Sequence, residues 1–175
     1  MSPERKLYEI SLDEVISHAK EIMFRDGKHV PALIVEGGKK LIISPIPNMP
    51  ETHGERISLL RFLGEEAVKT GEIGPLQQVF IIAEEWLSLG NKSKSVKMQS
   101  GPEANRHEVL VISGWQIKER KRHRRLFEVL RSRDRKVVGL EELLPEEKRK
   151  DQVIKTPLVE AFVYGFKSAS QTKYN

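Results

Sequence analysis

A chain of 175 residues is long enough for one domain, which by area scaling buries roughly 70% of the surface its unfolded form exposes. It contains no cysteine, which excludes disulfides, thiolate metal ligands, iron–sulfur ligation and a cysteine nucleophile. Charged residues make up 31% of the chain and leave a net charge of +5; with no leader-like start at Met1 and no apolar run near the ~20 residues a bilayer requires, a soluble, cytoplasmic protein without membrane contacts is expected.

In chain order, Ser11-Leu12-Asp13-Glu14 reads as a capping box, because the Ser oxygen can accept an orphan helix N–H while Glu14 reaches back. The helix it opens runs to about Arg25. Leu12, Val15, Ile16, Ala19, Ile22 and Met23 form one apolar stripe, His18 lies just off it, and Gly27 supplies a left-handed stop. Two β runs follow, Val30 to Val35 and Leu41 to Ile46, joined by Glu36-Gly37-Gly38-Lys39 as a hairpin turn. Pro31 has no N–H to give, so the first of them lies at a sheet edge or begins there. Thr52 to Glu55 reads as a second capping box, opening a helix whose apolar face ends before Gly71.

Leu76 to Leu87 reads as a strand, with Trp86 sharing parity with Phe80 and Ile82. The stretch 88–106 is rich in turn formers and is expected to be a mobile loop or flap. Three further strands are predicted as a meander: Glu108 to Ile117, Arg124 to Arg131, and Lys136 to Leu143. After a charged connector containing Pro145, Thr156-Pro157 opens a last helix with Thr as cap and Pro at the first helical position; its tail, about 168–175, is expected to fray. The expectation is a single α+β domain over 1–175, with an antiparallel sheet of five or six strands and the order α-β-β-α-β-β-β-α. That order resembles the roadblock and profilin-like folds. The resemblance is one of element order without a shared motif, and it implies scaffolds that associate through sheet edges or helices.

His53-Gly54-Glu55 resembles the H-x-E of zinc-dependent cytidine deaminases, but the Pro-Cys-x-x-Cys element that completes their metal site has no counterpart in a cysteine-free chain. His18, His29, His53, His107 and His123 lack the i, i+4 spacing of a helical metal pair. Glu84 and Glu85 are adjacent on a strand, so they point to opposite faces and cannot form a dyad. No phosphate-binding loop, dinucleotide fingerprint or nucleophile elbow is present. No catalytic, cofactor or metal residues are therefore assigned, and no cofactor is expected.

The most unusual feature is basic. Lys118, Arg120, Lys121, Arg122, Arg124, Arg125, Arg131, Arg133, Arg135 and Lys136 outnumber Glu119, Glu128 and Asp134 for a local charge of +7, so the rest of the chain carries −2. All of these basic residues but Lys136 form the candidate anion or nucleic-acid site, extended by Lys92, Lys94 and Lys97, with Trp115 and Phe127 as candidates for stacking on bases. The preferred reading of the stretch is a solvated hairpin that keeps sheet edges from pairing, with nucleic-acid binding as the alternative. Three classes of function follow in order of support: a non-enzymatic module working through protein contacts or self-association, a nucleic-acid-associated protein, and an enzyme with a dispersed site.

Overall fold

The computed structural model describes residues 9–88, 106–143 and 154–172. Within them the elements run α1 (Leu12–Asp26), β1 (Ala32–Gly37), β2 (Leu41–Pro45), α2 (His53–Thr70), β3 (Leu76–Ser88), β4 (Arg106–Gln116), β5 (Lys121–Arg131), β6 (Val137–Leu143) and α3 (Pro157–Thr172). All pairings are antiparallel, in one six-stranded sheet of order β2-β1-β3-β4-β5-β6. The fold is thus α+β, with helices packed on an antiparallel sheet.

Local chemistry sets most boundaries. Ser11 and Glu14 close the full capping box, and Gly27 takes the left-handed conformation at φ 71° with its N–H on the Met23 carbonyl. Thr52 accepts the Glu55 N–H, and its hydroxyl bonds the Glu55 carboxylate at 2.6 Å, so the reciprocal half of that box is replaced by a side-chain bond. At α3 the cap differs from expectation. Thr156 is 1% exposed and its hydroxyl has no hydrogen-bond partner among the described residues, while its carbonyl accepts the Glu160 N–H.

β1 begins directly after Pro31 and lies inside the sheet, where every N–H from Ala32 onward can join a ladder; the edge belongs to β2. β5 starts three residues earlier than its apolar content suggests, because Lys121, Arg122 and His123 pair with Gln116, Trp115 and Gly114.

The sheet is buried on both faces. On one, Leu33, Val35, Val79 and Ile81 meet Leu60, Val68, Val159, Phe162 and Phe166 of α2 and α3. On the other, Ile34, Phe80, Ile82, Leu110, Ile112 and Phe127 meet Val15, Ile16, Ala19 and Met23 of α1. Each large side chain fully buried here contributes about 1.5–3 kcal/mol before entropy is counted. α2 and α3 touch at backbone distance: a Cβ on Gly64 would strike the Phe162 carbonyl, and one on Gly165 the Arg61 carbonyl. The connector 144–155 and the tail lie only partly within the described residues, since α3 continues to Thr172. The expected loop at 88–106 falls almost wholly outside them.

Candidate functional site

Strand alternation divides the basic stretch. Arg122 and Arg124 point to the α2/α3 face, Arg125 and Arg131 to the α1 face. Arg122 stacks on Trp115 at 4.4 Å and lies 3.3 Å from the Glu160 carboxylate. Arg125 makes a two-pronged contact with Glu142 on β6, one prong at 2.8 Å. Arg131 grips Glu108 on β4 through Nε at 2.7 Å, donates to the Gly27 carbonyl at 2.8 Å, and so fastens the end of α1 to the sheet.

Lys118, Arg120 and Lys121 sit at the β4–β5 turn, whereas Arg133 and Arg135 sit at the β5–β6 turn. The 11 residues of β5 hold those turns roughly 35 Å apart at the usual strand rise. The structure therefore brings Arg131 to Glu108 and Arg125 to Glu142, and does not gather the nine candidates on one face. Lys92, Lys94 and Lys97 lie outside the described residues. Trp115 and Phe127, the stacking candidates, are packed against the two cores.

The acidic pair splits as parity requires. Glu84 receives the His29 backbone N–H on the α1 face. Glu85 is withdrawn on the other face, 3.7 Å from Arg56; burial pushes its carboxyl above the usual carboxylate range, opposed by Arg124, Arg56 and His53. His29 is buried with Nδ1 2.7 Å from the Val30 carbonyl, and burial lowers its pKa. His53 is exposed, His18 faces Glu21 at 3.8 Å, and His107 lies 2.5 Å from Glu128. Among the described residues no three His, Asp or Glu side chains converge as a metal site.

Two other features stand out. The first is the open edge of β2. Ile46 N–H donates to the Pro31 carbonyl and the Lys40 carbonyl accepts from Gly37, so even-numbered residues of β2 face β1. Leu41 and Ile43 consequently turn their N–H and C=O groups outward, where no described strand meets them. Ile43 is 61% exposed. Ile42 of the same strand lines a largely apolar groove of about 430 Å³ with Leu63, Ala67 and Ile73, which Glu66, Lys69, Thr70 and Glu72 also line. The opposite edge, β6, is protected by a bulge at Leu130/Arg131 and by Glu141 and Glu142.

The second is a polar row on the α1 face. Glu36, Gln78 and Gln116 are register neighbours on β1, β3 and β4. Gln78 Nε2 donates to Glu36, Gln116 Nε2 lies 3.4 Å from Gln78 Oε1, and His123 Nε2 lies 2.8 Å from Gln116 Oε1. Glu36 also accepts the Ile10 N–H at 3.1 Å, which ties the approach to α1 onto the sheet. Sequence reasoning missed this row, since Glu36 reads as a turn residue. The available signal was a polar residue at a buried parity position in three otherwise apolar strands. No family model, curated protein or solved structure matches the chain.

Proposed function

We propose that this protein is a non-enzymatic module that works through protein contacts, and that the contact is the β2 edge joined to a second copy of the chain. The observation that carries the reading is an open edge with no charged residue between Leu41 and Pro45, beside an apolar groove. Such an edge is a template for strand addition. A second copy fits because the strand is complementary to itself about Ile43. Ile43 would exchange both backbone bonds with its symmetry mate, and Leu41 would donate to the Pro45 carbonyl, an acceptor that needs no N–H in return.

Charge supports this edge over the other. Lys40 is neutralised by Glu72 at 2.9 Å, whereas β6 carries the exposed carboxylate of Glu141 within the strand. Ile43→Lys places a cation opposite itself across the two-fold axis, so the variant should be monomeric where the wild-type chain is dimeric by sedimentation. A wild-type chain that stays monomeric at high protein concentration would overturn the reading. The nucleic-acid reading has less support, because the nine basic candidates sit on two faces and at two distant turns. A salt series with labelled single- and double-stranded nucleic acid tests it directly.

A further inference from the structure

The end of the polar row opens into a cavity of about 270 Å³ between the approach to α1, the ends of β1, β3 and β4, and the β4–β5 turn. Three carboxylates line it, from Glu9, Glu36 and Glu119, against one cation, Lys118. Gln77, Gln78 and Gln116 supply the remaining polar wall.

Glu36 sets the chemistry. It is 3% exposed, yet among the described residues its hydrogen bonds come from two neutral donors, the Ile10 amide and the Gln78 carboxamide, and no ion pair reaches it. A carboxylate withdrawn from water is strongly favoured by a nearby positive charge, and neutral N–H donors replace only part of its lost hydration. The row beside it is oriented as well. Gln116 turns its oxygen to His123 and its amide to Gln78, and Gln78 turns its amide to Glu36, so the donors run one way and converge on that carboxylate. The amides of Gln78 and Gln116 are committed, so besides Gln77 and the Lys118 ammonium the cavity offers a ligand acceptor capacity and, with three carboxylates against one cation, negative potential.

We infer that this cavity binds a guanidinium group, with Glu36 as the buried anchor and Glu9 and Glu119 as flanking acceptors. A planar guanidinium presents donors in a fork that one carboxylate takes in bidentate fashion while the remaining N–H groups reach other acceptors. The cavity of about 270 Å³ admits a guanidinium with room to spare and lies below the roughly 300–1,000 Å³ of sites for drug-sized ligands. The inference is independent of the β2 contact, which lies on the sheet's outer edge.

The test is calorimetric titration of the full chain with methylguanidinium, with neutral ethylurea as a control of similar size. Arg5 and Lys6 lie shortly before Glu9 in the sequence, so an Arg5→Ser, Lys6→Ser variant is titrated in parallel. Saturable binding of methylguanidinium and none of ethylurea is expected. Glu36→Gln, which keeps the side-chain shape, should weaken binding at least about tenfold, as loss of a charge-assisted anchor does. Glu119→Gln on the exposed turn should weaken it by about two- to threefold, as expected for a solvent-screened charge. A second arm separates the sources: an arginine within a short peptide, acetylated at its N-terminus and amidated at its C-terminus, binding more tightly than free methylguanidinium assigns the group to a protein side chain, and equal affinity assigns it to a free small molecule. Absence of binding by both the wild-type chain and the Arg5/Lys6 variant, equal binding of ethylurea, or an unchanged affinity in both Glu36→Gln and Glu119→Gln would overturn the inference.

Discussion

Replacing Arg131 by Ala separates a structural arginine from a ligand-binding one. In the fold its guanidinium joins three elements: it grips Glu108 on β4, donates to the Gly27 carbonyl at the end of α1, and reaches the Arg135 carbonyl at 2.9 Å in the β5–β6 turn. The two charged side chains are 23% and 14% exposed, so the pair is neither fully buried nor freely solvated. Removing one partner of a fully buried pair costs about 3–5 kcal/mol, against about 0–1 kcal/mol for an exposed one. The lost hydrogen bond to Gly27 adds about 1 kcal/mol. An intermediate loss of about 2–3 kcal/mol is therefore expected, which for a domain of this size lowers Tm by about 4–12 °C.

Denaturant unfolding of the wild-type chain, Arg131→Ala, Glu108→Gln and the double variant gives the coupling directly, with about 1–2 kcal/mol expected for groups in contact. Arg133→Ala, at an exposed turn, should stay within about 0.5 kcal/mol of wild type. A Tm shift below about 1 °C for Arg131→Ala, or no coupling to Glu108, would refute the structural assignment and return Arg131 to the pool of anion-binding candidates.

Arg120 and Arg135 hold positive φ values of 53° and 61° at the two hairpin turns, so Arg120→Gly and Arg135→Gly should each raise stability by about 0.5–1 kcal/mol in chemical unfolding. Gly64→Ala should lower stability by about 1–3 kcal/mol because the new methyl meets the Phe162 carbonyl, whereas Gly54→Ala, with open space around its Cβ, should be neutral or stabilising. For Glu85, a carboxyl pushed up by burial favours the folded state fully below the ordinary carboxylate value and loses that contribution as pH rises through the raised one. Glu85→Gln should accordingly unfold at a higher temperature than wild type at pH 7, and thermal scans at pH 4 should bring the two together; an unchanged difference would refute the burial argument.

What was legible in the sequence is what neighbours in sequence decide. Ser11 with Glu14, and the glycines at 27 and 71, fix the first two helices because a cap and a left-handed stop are local devices. The Glu36 to Lys39 turn fixes the β1–β2 pairing for the same reason. Strand order was not legible, since parity does not say that β3 rather than a later strand closes on β1. The basic run was visible as charge, but the carboxylates that engage it, Glu108, Glu142 and Glu160, come from β4, β6 and α3 and meet it only after folding. Trp86 shows the limit of parity: it shares a face with Phe80 yet is 59% exposed, lying on β3 beyond the part that α1 covers. Glu36 escaped for the opposite reason, as a charged residue beside two glycines that nevertheless ends buried.

Contact between copies through β2 can be read by sedimentation velocity of the wild-type chain and Ile43→Lys across a range of concentrations, with amide exchange followed at Leu41 and Ile43. The wild-type chain should form a concentration-dependent dimer in which those two outward amides are protected, and the variant should be a monomer in which they exchange freely. A dimer unaffected by Ile43→Lys, or a wild-type chain that remains monomeric with both amides unprotected, would contradict it.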